Sequence, residues 1–433
     1  MQPKNLRRWF GALFALLNPQ GTGWYVSSYV FSFVLNVLFT WAASASLGAK
    51  EFGGFTLFST VTQFGVTIVN AGFYTSAMTK AGSHSSPTRV KALIQTRLTT
   101  SLILFYALAA CIAIPLFITQ PTARVYTAVG MLYILLTALQ PLWMCQVRGE
   151  HGLFNALQVI QRACFAIPAF IALKAGSSLP WICLIYAVSP LPAVLWCLNT
   201  NSQIRKVLHP RYWLRRRAWQ AMGSTLTSES KFLFVDLIAT LTASLPALII
   251  AKTSGLSQLG GYSLAERYKS YVVTVFSPIN SSQYQRLCRY YLQGLYTQAS
   301  ILLSRYQLMV WLVAFSIAGI GAAIIPSQLS HYAGGEYADA KQAFVIFSLF
   351  IPFLTVSAGF NLLYFSTQRL TQPQQLSSVS KVVLFGLIYW AMIHGNWNAI
   401  TAAATATVSS ELLATLLAFL SSQHRSQLQL RLW

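Results

Sequence analysis

The hexapeptide Phe-Gly-Gly-Phe-Thr-Leu at residues 52–57 recurs as Leu-Gly-Gly-Tyr-Ser-Leu at residues 259–264. The copies lie 207 residues apart, close to half of the 433-residue chain. Each reads apolar, Gly, Gly, aromatic, hydroxyl, Leu, and each follows an apolar stretch long enough to cross a membrane as a helix. Because both copies occupy the same position relative to these stretches, we interpret them as marks of a duplicated unit. Internal repeats of this kind are the usual framework of secondary transporters.

The composition around these copies indicates a membrane protein. Charged residues make up 9% of the chain, hydrophobic residues make up 55%, and the mean hydropathy is +0.53. A soluble domain carries about 25% charged residues, so this chain could not cover its surface with polar groups. Lipid offers the backbone no hydrogen-bond partner, which predicts spanning helices. Twelve apolar stretches qualify: 24–45, 55–74, 98–118, 125–144, 153–173, 179–198, 232–251, 262–279, 308–325, 344–365, 376–393 and 397–420.

These stretches predict an all-α polytopic membrane protein with about 12 transmembrane helices in two pseudo-symmetric six-helix bundles. We place an N-terminal lobe at residues 1–208 and a C-terminal lobe at residues 209–433. The longest connection runs from Asn199 to about Lys231 and is densely basic. It is either a helix on an anionic leaflet or a plain cytoplasmic loop, and the sequence fits both.

The positive charges orient the chain in the membrane. There are 30 lysines and arginines against 8 acidic residues, a net charge of +22. With a cytoplasmic N-terminus, 21 of the 30 fall on the cytoplasmic side, five fall outside and four lie at membrane depth. Cytoplasmic loops collect Lys and Arg, so we expect both termini in the cytoplasm. The same rule explains the basic composition without nucleic acid, and no nucleic-acid recognition motif is present.

Four cations lie at membrane depth: Arg162, Lys231, Arg267 and Lys269. A charge there costs roughly 2.5–3.5 kcal/mol on insertion scales, so each is expected to face a cavity or a partner. Glu266 is three residues before Lys269 and can pair with it, whereas Arg267 projects elsewhere and is expected to be the free cation. We predict that these four bind an anionic substrate, since Arg and Lys attract phosphate and acidic sugars. The alternative is a packing role.

Other polar side chains at membrane depth have two interpretations. Four acids are candidates for ion coupling: Glu229, Asp236, Glu266 and Glu411. Glu229 and Asp236 share one helical face, and Glu411 stands alone in the last stretch. Four amides could line a hydrophilic lumen or join helices as interhelical hydrogen-bond partners: Asn36, Gln63, Asn70 and Gln158.

Enzyme function is not favoured by the sequence. Walker, G-x-S-x-G and H-E-x-x-H motifs do not occur, and no Cys or His spacing indicates a metal site, so we expect no metal and no cofactor. A membrane glycosyltransferase would need outer acids, and the outer turns offer only Glu51, Glu336 and Asp339. Transport or flipping is therefore favoured over chemistry.

Five segments resemble the polysaccharide-export (Wzx-type) flippases, which move O-antigen and related lipid-linked oligosaccharides and belong to the MATE-like MOP superfamily. The segments are residues 47–53, residues 70–73, residues 146–150 with Phe154 and Asn155, residues 261–267, and residues 335–340. The last two, each taken with the glycine before it, resemble the family patterns G-x-Y-S-x-A-x-[RK] and G-x-x-Y-x-x-A. Arg267 lies within a matched motif, and Lys269 lies two residues after it.

The resemblance implies a fold and a function. The fold would be two six-helix bundles around a V-shaped lumen that opens alternately to each side and is rich in cationic and aromatic groups. The function would be to flip an undecaprenyl-pyrophosphate-linked oligosaccharide across the bacterial inner membrane. The partners would be membrane lipid, this substrate, and the polymerase and chain-length regulator of the same pathway.

Two alternatives stay open. One is a MATE-type antiporter of drugs or small molecules, which would present buried acids to organic cations. The other is a scaffold of a glycan-synthesis complex, which would dock through the basic residues Arg215–Arg217.

Overall fold

The computed structural model describes residues 22–70, 87–115, 123–140, 142, 145, 151–200, 207, 216–275, 290, 293–329, 335–366 and 371–423. Over these residues the chain is almost entirely helical, and the described part contains no β-strand.

Twelve α-helices make up the described part of the chain. In chain order they are α1 (Thr22–Asn70), α2 (Pro87–Leu108), α3 (Arg124–Leu139), α4 (His151–Lys174), α5 (Leu179–Val188), α6 (Leu191–Thr200), α7 (Arg216–Thr253), α8 (Gly255–Val275), α9 (Tyr296–Leu329), α10 (Lys341–Ser366), α11 (Thr371–His394) and α12 (Ala399–Gln423). A π-helical turn, Ala109–Ala113, extends α2, and a 3₁₀ turn, Ala338–Ala340, precedes α10.

Each of the twelve expected spans coincides with these helices over most of its described residues. The first two spans share α1, and the sixth is divided between α5 and α6. By length and apolar composition, seven stretches of the described chain could cross a membrane, and the longest of them, Val30–Asn70, accounts for two spans. The predicted fold class, an all-α polytopic membrane protein, is confirmed.

The surface of the helices supports this class. On α9, Leu308, Leu312 and Ile320 have 62%, 64% and 62% of their surface exposed, whereas Ala314 and Ala318 are buried. Large apolar residues thus face outward and small residues face neighbouring helices. Lipid tails solvate Leu and Ile as well as a protein interior does, so a membrane protein gains from this arrangement and a soluble protein would lose.

Helix breaks occur at matching positions in the two copies of the repeat. Gly48 interrupts α1 with φ +72° and ψ 173°, and Gly255, which starts α8, has φ +87°. These two glycines are also 207 residues apart. L-amino acids with a side chain rarely adopt a positive φ, so glycine is required at both breaks. The repeat recognised in the sequence therefore extends to the backbone, and it begins earlier than the hexapeptides.

A second pair of turns also matches. Gly176 follows α4 with φ +69°, and Asn396 follows α11 with φ +59°. In both turns the left-handed residue donates to the carbonyl three residues back, and the next residue donates to the carbonyl five residues back, at 2.9–3.1 Å. This is the Schellman pattern that ends many helices. The connections between spans five and six and between spans eleven and twelve thus have the same local structure.

The chain forms two compact units. Unit 1 contains Met1–Ala43 and Phe58–Thr240, and unit 2 contains Ser44–Leu57 and Leu241–Trp433. Unit 2 thus includes a segment of α1 that the sequence analysis assigned to the first lobe. We call Ser44–Leu57 the elbow. The predicted lobes, 1–208 and 209–433, stay a prediction.

Helix lengths differ from the sequence expectation in two places. The expected central loop ends early, because α7 begins at Arg216 rather than near Lys231. Similarly, α9 begins at Tyr296, before the span expected from Leu308. Hydropathy detects only the apolar part of a helix, whereas residues such as Arg, Gln, Ala and Met continue a helix beyond the apolar core. An interfacial helix expected over residues 7–17 lies outside the described residues.

The first part of α12 is rich in small residues and is buried on every side. Five alanines on this helix are fully buried: Ala402, Ala403, Ala404, Ala406 and Ala414. Leu413 and Leu416 are 42% and 53% exposed. Small residues let helix backbones approach closely, which is how helices associate where lipid removes the hydrophobic driving force.

Candidate functional site

The repeated glycines bring α8 into backbone contact with the elbow. A Cβ atom on Gly53 would overlap with the carbonyl oxygen of Leu256, and a Cβ on Gly260 would overlap with the carbonyl oxygen of Ala49. Each copy of the diglycine therefore provides the space that the other copy's helix occupies. The two copies meet in unit 2, and this contact fixes where the charged residues of α8 lie.

Residues that precede α10 hold the elbow in place. The backbone N–H of Ala49 donates to Glu336 Oε2 at 2.7 Å. The hydroxyl of Tyr337, which is fully buried, donates to the carbonyl of Ser44 at 2.9 Å. The break at Gly48 leaves backbone N–H groups without helical partners, and the Glu336 carboxylate accepts from one of them. Glu336 thus has a structural contact in the second unit.

Arg267 lies against aromatic rings of the elbow. Its guanidinium carbon is 5.2 Å from the ring centroid of Phe52 and 5.8 Å from that of Phe55. Both rings are buried. The expectation that Arg267 is a free cation was wrong, because the glycine contact brings the elbow's rings within cation–π distance.

The predicted pair of Glu266 and Lys269 is confirmed. Lys269 Nζ is 3.9 Å from Glu266 Oε1, and the side chains are 13% and 23% exposed, respectively. Lys269 Nζ also lies 4.9 Å from the ring centroid of Phe347. One turn of α8 therefore carries an ion pair beside a ring.

A second ion pair joins α11 to α12. Lys381 Nζ is 3.5 Å from Glu411 Oε1, and both side chains are largely buried. In the sequence Glu411 stood alone, and Lys381 was counted among the cytoplasmic cations. The structure corrects the first point: Glu411 has a cationic partner. A pair 30 residues apart leaves no pattern that sequence spacing could reveal.

A buried tyrosine connects these two pairs. Tyr262 is fully buried, and its hydroxyl is 3.2 Å from Thr407 Oγ1. The carboxylates of Glu266 and Glu411 both act electrostatically on this hydroxyl. One cluster on α8, α11 and α12 therefore contains Tyr262, Glu266, Lys269, Lys381 and Glu411. Its two carboxylates and two lysines have formal charges that cancel.

In unit 1, Arg162 of α4 lies near a pair of tyrosines. The rings of Tyr133 and Tyr186 stack with centroids 4.6 Å apart and an interplanar angle of 22°. Their hydroxyls are hydrogen-bonded, and Arg162 acts electrostatically on Tyr133. Phe165 packs edge-on against Tyr186 at 5.2 Å. This predicted site residue is half-buried.

An amide pair lies beside Arg162 in the chain. Gln140 Nε2 donates to Gln161 Oε1 at 3.3 Å, which joins the end of α3 to α4. Gln140 is 8% exposed, and its Oε1 is buried without a hydrogen-bond partner among the described residues. Neither residue was among the sequence candidates. The signal was present, because Gln140 and Gln161 both interrupt apolar stretches, but Gln158 was chosen instead.

Asp236 of α7 is half-buried in unit 1. One turn later, Thr240 donates its hydroxyl to the Asp236 backbone carbonyl and lies 3.0 Å from the hydroxyl of Thr67 on α1. Among the residues that the structure describes, no acid–base pair within 4 Å includes Asp236.

The remaining candidates are placed less specifically. The side chains of Glu229 and Lys231 on α7 lie outside the described residues. Asn36, Asn70 and Gln158 are half-buried, whereas Gln63 is exposed. The roles assigned to them stay predictions. Within the described part of the chain, no group of three His, Cys, Asp or Glu side chains could hold a metal ion.

One buried cation was missed. Arg97 of α2 has none of its surface exposed. The sequence analysis placed it on the cytoplasmic side, directly before the span at 98–118, whereas the apolar stretch of α2 begins at residue 95. Thr99, Thr100 and Ser101 are also buried. This run of hydroxyl residues was the signal that the buried part of α2 begins before residue 98.

The apolar helices define a multi-pass membrane protein, and its fold is similar to that of MATE transporters. The chain is similar to an inward-facing MATE family multidrug resistance transporter of the MOP superfamily, with a TM-score of 0.70 and 12% identity over 92% of this chain and 94% of that chain. It is similar to the lipid II flippase MurJ in an inward closed conformation, with a TM-score of 0.67 and 10% identity over 92% of this chain and 86% of that chain.

A mutant of the Vibrio cholerae MATE transporter VcmN gives a TM-score of 0.58 and 12% identity over 95% of both chains. No curated protein matches the sequence significantly. A family model described as "Polysaccharide biosynthesis protein" matches residues 47–290, more than half of the chain. The chain belongs to this family, which confirms the resemblance found in its motifs.

Proposed function

We propose that this protein is a flippase that moves an undecaprenyl-pyrophosphate-linked oligosaccharide across the bacterial inner membrane by alternating access. The oligosaccharide would be an O-antigen or related repeat unit of a surface polysaccharide. The family match carries the proposal. A chain of apolar helices contributes to polysaccharide biosynthesis most directly at a membrane step, and moving a lipid-linked intermediate is such a step.

The charges at membrane depth support an anionic substrate. Arg162 and Arg97 lie in the apolar helices of unit 1, where Arg162 is half-buried and Arg97 is fully buried. Arginine presents a planar fork of donors that fits phosphate, and it keeps its charge in an apolar setting. We propose that Arg162, with Arg267, Lys269 and Lys231, attracts the pyrophosphate or acidic sugars of the substrate.

An antiporter of organic cations is the second candidate, and the fold likeness to a MATE multidrug transporter favours it. Such a protein needs acids that are available to a cationic ligand. Glu266 and Glu411 already have lysine partners at 3.9 and 3.5 Å. Their charges are compensated within the protein, which makes them poor binding sites for a cationic drug.

Ion coupling is part of the proposal. Asp236 and Glu411 are the candidate coupling acids, and the ion pair of Glu411 with Lys381 favours Asp236. A group that exchanges an ion during the cycle must change its partner, which an acid outside a fixed ion pair does more readily.

The proposed location is the inner membrane, with both termini in the cytoplasm and the polymerase and chain-length regulator of the pathway as partners. The scaffold alternative predicts that charge reversal at Arg215–Arg217 abolishes function while Arg267 is dispensable. Arg215 and the side chains of Arg216 and Arg217 lie outside the described residues. Reporter fusions to each terminus test the topology: a cytoplasmic reporter should be active at both ends, and an exported one at neither.

Deletion of the gene in its own host tests the function. We expect lipid-linked repeat units to accumulate and surface polysaccharide to be lost, with both effects reversed by the wild-type gene. Arg162→Ala and Asp236→Ala should fail to restore the polysaccharide at normal membrane expression. If deletion leaves the surface polysaccharide intact but sensitises cells to cationic drugs, the antiporter replaces the flippase. If deletion has neither effect, both proposals fail.

A further inference from the structure

We propose that Gln140 and Gln161, together with the adjacent Arg162, form a sugar-recognition subsite within unit 1. This inference rests on the proposed function and deepens it, because it names the part of the substrate that these residues bind. The subsite would recognise hydroxyl groups of the oligosaccharide rather than the lipid or the pyrophosphate.

The first argument is an unsatisfied acceptor. Gln140 Oε1 is buried and lacks a hydrogen-bond donor among the described residues. Native proteins satisfy nearly all buried polar groups, and the exceptions call for an explanation such as a missing ligand. A sugar hydroxyl is a donor of suitable size. It would donate to Gln140 Oε1 and leave its own lone pairs for a neighbouring donor.

The second argument is the weakness of the existing amide contact. Gln140 Nε2 and Gln161 Oε1 are 3.3 Å apart, longer than the usual 2.9–3.0 Å of an N–H···O bond. Gln161 is half-buried and therefore reachable. A ligand hydroxyl that replaces this long contact would cost the protein little. Two side-chain amides offer four donor hydrogens and two acceptor oxygens, which suits the mixed donors and acceptors of a sugar ring.

The third argument is the cation that adjoins the amides. Gln161 adjoins Arg162 on α4, which acts electrostatically on Tyr133. Arg162 adds a charged donor for an acidic sugar.

A purely structural role is the competing explanation, since polar side chains also join helices inside membranes. The hydroxyl groups of Thr67 and Thr240, 3.0 Å apart in the same unit, join two helices in this way and include no amide oxygen without a donor. It provides a matched control. Thr67→Val removes an interhelical polar contact of similar kind, and we expect it to leave glycan binding unchanged.

Binding of free oligosaccharide provides the direct test. The repeat unit that accumulates in the deletion strain is released from its lipid by mild acid and titrated against the purified full-length protein. The double variant Gln140→Leu/Gln161→Leu replaces both amides with apolar groups of similar shape, which can be nearly neutral for folding. We expect it to bind the oligosaccharide roughly tenfold more weakly than the wild type, as loss of one or two hydrogen bonds implies.

Proteoliposomes provide the second readout. We compare two lipids: undecaprenyl diphosphate carrying a complete repeat unit, and the same carrier with one sugar. We expect the double variant to translocate the first lipid more slowly than the wild type, and to translocate the second lipid at the wild-type rate. Equal binding of the free oligosaccharide by variant and wild type would overturn the subsite. An equal loss for both lipids would also overturn it, because the amides would then serve the fold or the headgroup.

A separate outcome concerns the proposed function. If the wild type moves neither lipid, the flippase proposal fails, while the oligosaccharide titration still decides the subsite by itself. The single variant Gln140→Met replaces the double variant if the latter does not fold. It removes the orphaned acceptor and keeps the volume, and it should lose part of the binding.

Discussion

Residues 48–62 and 255–269 have a similar backbone conformation but differ in the side chains that come after the diglycine. Both begin at a glycine with positive φ and continue through a diglycine that contacts the other copy. In the first copy the next helical turns carry Ser59, Thr60 and Thr62; the second copy carries Glu266, Arg267 and Lys269 at the same positions. Glycine thus specifies the duplicated scaffold, whereas after the diglycine charge is present in one copy only. The comparison shows that the duplication preserves the residues that determine the backbone, whereas the charged residues after the diglycine occur in the second copy alone.

The largest expected effect comes from filling the glycine contact. Gly53→Ala and Gly260→Ala each place a Cβ against a backbone carbonyl, which cannot rotate away. We expect each to destabilise the protein by about 3 kcal/mol or more, in the range of severe overpacking. Thermal unfolding in detergent measures this. Gly319→Ala is the control, because its Cβ would meet nothing within 4 Å. Wild-type stability in either elbow-contact variant would show that the copies do not depend on this contact.

The two helix breaks should differ in their tolerance. Gly48→Ala strains the backbone and places Cβ 2.8 Å from Glu336 Oε2, whereas Gly255→Ala has open space around it. We expect a loss of about 1–3 kcal/mol at Gly48, which combines strain with the weakened Ala49 contact. At Gly255 we expect about 1 kcal/mol from strain alone. The difference between the two unfolding temperatures is the measurement, and a larger loss at Gly255 would contradict the role of Glu336.

The ion pair of the second unit offers a rescue experiment. Lys381→Met leaves Glu411 without its partner, and we expect a loss of about 1–2 kcal/mol, since both side chains keep some exposure. Adding Glu411→Gln should recover most of this stability. The double variant then distinguishes a structural role of the pair from a role in ion coupling. If the double variant is stable but inactive, Glu411 has a role in transport. If it is stable and active, the pair is purely structural.

The smallest effect concerns Arg267 and the rings of the elbow. Arg267→Thr gives the second copy the residue of the first copy. We expect it to cost about 0.5–1 kcal/mol of stability, the usual size of a cation–π contact. A double-mutant cycle with Phe52→Leu should show a coupling of the same size. A coupling of zero would mean that the ring contact contributes nothing. Loss of polysaccharide export at full stability is what the proposed substrate role of Arg267 predicts, and normal export would contradict that role.

Much of the fold follows from sequence because the membrane imposes simple rules. Apolar stretches and the distribution of Lys and Arg gave twelve spans, and each of them coincides with helix. The Glu266–Lys269 pair was also predictable, since residues three apart on a helix are neighbours.

The remaining contacts depend on which helices lie side by side. Ala49 and Glu336 are 287 residues apart, so no local pattern could link them. The same holds for Lys381 with Glu411, and for Arg267 with Phe52. Arg97 was missed for another reason: counting apolar residues placed the start of its span after it, although the helix is continuous through it.

The buried alanines of α12 bear on how this sequence can change over generations. Positions such as Ala403 and Ala406 accept only residues of similar size, because a larger side chain would push neighbouring helices apart. Leu413, Leu416 and Leu417 are 42%, 53% and 45% exposed and need only remain apolar. Drift along this helix is therefore expected to exchange Ala with Gly or Ser in its buried first part, and to run freely among Leu, Ile, Val and Phe at the exposed positions near its C-terminal end.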